Sequence, residues 1–271
     1  MIVEGLKNTV IQLILFVGVV YLVGFLIHFF SSRFYGVFRD SRTVCLATGF
    51  IGTPIHELSH ALMCLVFGHK ITEIKLFQID DSGTLGYVKH SYNPKNLYHQ
   101  AGNYFIGVAP LVGGSVFLYL MMRLLLPSSF AVTSILLADL TQLQQDGLDF
   151  SFFVYLVEVM ATIIRSIFAY EFGLNSVIFL VLVLCMSLHM NLSQADLKGS
   201  VQALPLIAGF LLVVNLLLSI ISSGAYRVFL SGVCKAAVVL LFFLTMGLTF
   251  SALIFLSTKS IPLLKAAIKR K

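Results

Sequence analysis

Between residues 44 and 67 the chain is almost wholly apolar, yet that run carries His56-Glu57-Leu58-Ser59-His60. An apolar stretch of this length can enter a bilayer only if its backbone hydrogen bonds close within the segment, which means a helix. On a helix, side chains four apart stand one above the other, so His56 and His60 share a face and can grip one metal ion. Glu57 lies beside them, placed to take a proton from a metal-bound water rather than to bind the metal. Imidazole nitrogens suit Zn²⁺, and two of them leave room for a third protein ligand and a water. The plain alternative is a helix that merely tolerates three polar residues. Against it stands the cost of an ionisable group in a membrane span, about 2.5–3.5 kcal/mol on insertion scales.

The rest of the chain suits the same setting. Of its 271 residues, 58% are hydrophobic and 11% charged, and the mean hydropathy is +0.96. Several runs reach the roughly 20 apolar residues that cross a bilayer. The expected fold is an all-α polytopic membrane protein, a single integral membrane domain over residues 1–271. About six transmembrane helices are expected, at residues 10–30, 43–67, 104–126, 174–190, 201–221 and 232–256. The first is too long for a signal-peptide core, and no small-residue cleavage site follows it. Gly49, Gly52, Thr53 and Pro54 predict an interrupted second span whose metal helix begins near Thr53. Within the surface loop 68–102, residues 71–77 and 84–88 predict a small β-hairpin turning at Asp81-Ser82-Gly83. Residues 127–173 carry too many charges for a clear span and read as an interfacial segment, with 150–170 an amphipathic helix. If that helix crosses, the crossings number seven.

The net charge of +6 does not point to nucleic acid, because the basic residues form no face. They gather in loops and at the C-terminus (Lys259, Lys265, Lys269, Arg270, Lys271), as in anchoring to an anionic leaflet of the lipid bilayer. With six spans, the basic excess puts both termini and the hairpin on the cytoplasmic side of the cell membrane. His60 would then lie about 10 Å below that surface. Cys45, Cys64, Cys185 and Cys234 all fall in apolar stretches and read as core thiols. Cys64 cannot join His56 and His60 on one ion, since the three would span about 12 Å of helix.

A catalytic zinc needs a third protein ligand. Glu158, Glu171, Asp139, His189 and Asp196 are the candidates. Asp196 sits in a polar cluster, 188–199, between two apolar spans, and on the six-span arrangement shares a side with the end of the metal helix. Glu158 and Glu171 fall on the opposite side.

These features resemble an intramembrane zinc metalloprotease of the site-2 protease superfamily. The resemblance is carried first by residues 56–77, where H-E-x-x-H is followed by Gly68 and a short strand. A later span supplies the second match, with Asn191 ahead of Asp196 and Gly199 behind it, where the family pairs an Asn with L-D-G. This chain differs in having Ser59 where the family usually has Gly, and Ala195-Asp196-Leu197 in place of L-D-G. The resemblance implies Zn²⁺ on His56, His60 and Asp196, with Glu57 as general base. It implies that Asn191 binds substrate or orients the oxyanion. The substrate would be a membrane-spanning protein or peptide, locally unwound and held by pairing along the hairpin. A zinc transporter of the ZIP type is the alternative, because it also places H-E-x-x-H in a membrane helix. That family continues with a further Glu and carries H-N-x-x-D, whereas Ala61 follows His60 here and H-N-x-x-D is absent.

Overall fold

Long apolar runs dictate helices, and what distinguishes one helix from the next is how its polar residues are satisfied. The computed structural model describes residues 2–36, 41–79, 84–143, 150–170 and 172–268. The first rod comprises α1 (Ile2–Leu13), a π-helical stretch Ile14–Gly18 and α2 (Val19–Tyr35). A π turn widens the backbone ring and loosens its carbonyls. One of these, Phe16 O, accepts a hydrogen bond from the Tyr104 hydroxyl.

Next comes α3 (Ser41–Val66), which carries the histidine motif and is continuous, with Pro54 inside it. The expected break near Thr53 is therefore absent. The glycines serve packing instead. A Cβ on Gly52 would lie 2.5 Å from Cys185 O, and one on Gly49 would lie 2.5 Å from Leu85 Cδ1. Both let neighbouring segments approach α3 closely. Strands β1 (Lys70–Lys75) and β2 (Tyr87–Ser91) pair antiparallel, with a register shift between Ile71 and Glu73. A two-stranded hairpin is thus present, a few residues from its expected bounds. Its expected turn, Asp81-Ser82-Gly83, lies outside the described residues.

Asn96 caps α4 (Leu97–Leu125), its side chain accepting from Tyr98 N at 2.9 Å. The segment expected to lie at the interface is two helices, α5 (Pro127–Leu143) and α6 (Phe150–Tyr170). On α6, Leu156, Val159, Met160, Ile163 and Ile167 form a helical stripe buried in the core. Then follow α7 (Leu174–His189), α8 (Gln194–Ile221) and α9 (Ser223–Ile268). The gap left between the spans expected at 174–190 and 201–221 is shorter than expected, because the helix already begins at Gln194.

Among the described residues, four helices are long and apolar enough to cross a membrane: Val3–Tyr35, Leu97–Leu125, Gln194–Ile221 and Ser223–Ser257. They match four of the six expected spans. The other two fall short, α7 because it has only 16 residues and α3 because its polar motif dilutes its hydropathy. The outer faces fit a lipid setting, with Val201, Phe210, Val213 and Leu217 of α8 exposed.

At the centre, α4 packs against α3, α7, α8 and α9, and Leu111 and Leu118 are fully buried along it. Gly107 lets α8 approach, since a Cβ there would lie 2.5 Å from Asp196 O. A buried polar knot ties α1 to α8. In it Asn215 Nδ2 donates to Gln12 Oε1 at 2.8 Å and to Thr9 Oγ1 at 3.0 Å.

Candidate active site

Helix periodicity puts His56 and His60 one turn apart on α3, and their Nε2 atoms stand 3.1 Å from each other. The opposite ring nitrogens are both engaged. His56 Nδ1 is 2.7 Å from His189 O at the end of α7, and His60 Nδ1 is 2.8 Å from Ile106 O on α4. A carbonyl only accepts, so each Nδ1 carries the proton and each Nε2 keeps its lone pair. Carbonyl partners of this kind fix the tautomer and ring plane of a metal-binding histidine.

Asp196 completes the cluster from the first turn of α8. Its Oδ1 lies 3.3 Å from His60 Nε2. Its Oδ2 accepts from Ser193 N at 2.8 Å, while Ser193 Oγ accepts from Asp196 N at 3.2 Å. This is a capping box in which the carboxylate spends one oxygen on the helix start and turns the other to the histidines. The donor atoms of His56, His60 and Asp196 all lie within 4.8 Å of one another. Nitrogen ligands at about 2.0–2.1 Å in a tetrahedron stand about 3.3 Å apart. Two imidazole lone pairs and one carboxylate oxygen at this spacing fit a divalent ion.

The remaining expected residues are placed as follows. Glu57 is 7% exposed and lines a cavity of about 680 Å³ together with His56, Asn191 and the hairpin residues Leu85 and Gly86. Gly86 is pressed against it, since a Cβ there would lie 2.9 Å from Glu57 Cγ. The His189 ring faces hydroxyls rather than the cluster, with Nε2 at 3.0 Å from Thr48 Oγ1 and 3.2 Å from Tyr35 Oη. Its contribution is the carbonyl that holds His56. Glu158 and Asp139 are exposed, on α6 and α5, and neither joins the cluster. Glu171 lies outside the described residues. Ser59 faces Gly113 of α4, and a Cβ at Gly113 would lie 2.1 Å from Ser59 Oγ.

Two features escaped the sequence reading. The carbonyls of His189 and Ile106 leave no mark in residue identity. The capping box did leave one, the pattern Ser193-x-x-Asp196. No protein-family model, curated protein or solved structure matches the chain.

Proposed function

We propose that the chain is a zinc-dependent intramembrane endopeptidase, hydrolysing a peptide bond in or near a transmembrane segment of a protein or peptide. The observation that carries this reading is the convergence of His56 Nε2, His60 Nε2 and Asp196 Oδ1, with His56 and Glu57 lining a cavity. A zinc ion bound there would acidify a water and polarise a carbonyl. His56, His60 and Asp196 would hold it, and the carbonyls of His189 and Ile106 keep the imidazoles aimed. Glu57 takes the proton from the attacking water as its oxygen bonds to the scissile carbon, then gives that proton to the leaving nitrogen as the C–N bond breaks. The side-chain amide of Asn191 donates to a substrate carbonyl across the same cavity. The substrate enters unwound, because a helix hides its carbonyls in hydrogen bonds, and pairs with the backbone next to Gly86. The hairpin and both termini face the cytoplasm.

The test uses the purified full chain in lipid vesicles with a panel of transmembrane peptides, fragments being read by mass spectrometry. Wild type is expected to cut within or beside the apolar segment. Glu57→Gln is expected to keep its zinc and lose at least about 100-fold in rate, the lower end of general-base contributions. Equal zinc flux through wild type and Glu57→Gln, with no cleavage by either, would overturn the peptidase reading in favour of transport.

A further inference from the structure

We propose that the chain holds a second transition-metal site at the base of the hairpin, formed by Cys64 Sγ, His69 Nδ1 and His90 Nδ1. It is separate from the cluster on His56 and His60 and does not rest on the peptidase reading.

Local sequence builds it. After α3 ends at Val66, Gly68 takes φ 69°, a left-handed conformation that favours glycine. Gly68 N donates to Leu65 O at 3.2 Å and His69 N to Cys64 O at 2.8 Å. These crossed bonds form a Schellman cap, and they fold His69 back over the last helical turn, beside Cys64. Strand pairing then sets His90 opposite Ile71, which brings in the third side chain. The ligand atoms of Cys64, His69 and His90 all lie within 4.8 Å of one another. His69 Nδ1 and His90 Nδ1 are 3.0 Å apart, close to the nitrogen–nitrogen edge of a tetrahedral zinc site, about 3.3 Å.

The surroundings are those of a built site. Cys64 is 0% and His69 3% exposed. His69 Nε2 donates to His99 O at 2.8 Å, so the proton is on Nε2 and the Nδ1 lone pair faces His90. The ring of Tyr92 stacks on His69 at 4.8 Å between centroids and 15° between planes, which holds the imidazole plane. One thiolate and two imidazoles select zinc or a softer transition ion over magnesium or calcium. Three protein ligands leave a fourth position for water. Cys64 lies one turn beyond His60, yet its sulfur groups with the hairpin imidazoles. An ion there ties the end of α3 to the start of β1 and to β2. Because Leu85 and Gly86 lead into β2 and line the cavity beside Glu57, this clasp sets where the hairpin lies over the active site.

Cobalt(II) binding to the purified full chain in detergent tests the proposal. Wild type is expected to take up two equivalents and to show a near-ultraviolet thiolate-to-cobalt charge-transfer band, which a His–His–Asp site cannot produce. Cys64→Ser and His90→Ala should each lose one equivalent and the band. His56→Ala should lose one equivalent and keep the band. Amide exchange in β1 and β2 should quicken in Cys64→Ser at saturating metal. A wild-type protein without the band, or a Cys64→Ser protein that still binds two equivalents, would overturn the site and leave only a thiol beside an imidazole–imidazole hydrogen bond. If Cys64→Ser does not fold, the wild-type band and its fate in His90→Ala decide the matter. Loss of an equivalent in Cys64→Ser but none in His56→Ala would sink the active-site reading and spare this one.

Discussion

Asp196 is asked to do two things at once, and substitutions can separate them. Its Oδ2 caps α8 through Ser193 N at 2.8 Å, and its Oδ1 faces His60 Nε2 at 3.3 Å. In Asp196→Asn the amide oxygen can still accept from Ser193, while the amide nitrogen has no lone pair for a metal. The metal-free protein should therefore lose only the charge at the helix N-terminus, about 0.3–1 kcal/mol. Asp196→Ala removes the cap as well, for about 1 kcal/mol more. Both should bind metal at least 100-fold more weakly, beyond the 10–100-fold typical of losing an outer-shell partner. At a free zinc concentration 1,000 times the dissociation constant, metal stabilises the native protein by about 4.1 kcal/mol, and a 100-fold weaker site retains about 1.4 kcal/mol. Thermal unfolding with and without zinc, in a Cys64→Ser background so that one site responds, reads both quantities. Full zinc stabilisation in Asp196→Asn would refute the ligand role. Equal metal-free stability of Asp196→Asn and Asp196→Ala would refute the capping role.

Other expectations follow from packing and charge. Gly107→Ala should push α8 away from α4, since its Cβ would meet Asp196 O at 2.5 Å and Ser200 Cβ at 2.8 Å. A cost of about 1–3 kcal/mol and weaker zinc binding should appear together in melting and metal titration, and unchanged binding would argue against this close approach. Asn215→Ala should destabilise the α1–α8 contact by about 1–2 kcal/mol, and an unchanged melt would remove the polar knot from the account. On the exposed hairpin, the Lys89 ammonium and then the Tyr87 hydroxyl hold the Glu73 carboxyl below the usual glutamate range. The contact should therefore persist above the pKa of an unfolded glutamate and fail only as pH falls through the lowered one. In Lys89→Ala the titration of Glu73, followed by NMR, should move back up.

How much of this was legible in the sequence depended on the range of the interaction. His56, Glu57 and His60 could be read together because one helical turn relates them. Asp196 could be singled out as the acidic residue of a polar cluster, but the early start of its helix was missed, although Ser193-x-x-Asp196 is itself a start signal. Gly49, Gly52 and Pro54 were expected to break α3. They lie within it, because glycine there admits Cys185 O and Leu85, a long-range demand that overrides local propensity. The stripe on α6 was legible as amphipathic, but not as a face turned to the core. His69 and His90 could not be brought together from spacing, since only the helix cap at Gly68 and the strand register join them.

The central claim is that the imidazoles of α3 and the carboxylate of α8 share one divalent ion. X-ray absorption at the zinc edge of the Cys64→Ser protein tests it most directly. The account predicts a nitrogen and oxygen shell at about 2.0–2.2 Å, with two imidazoles in Cys64→Ser and loss of the zinc when His56→Ala is added. Zinc surrounded without imidazole, or retained in full after His56→Ala, would contradict it.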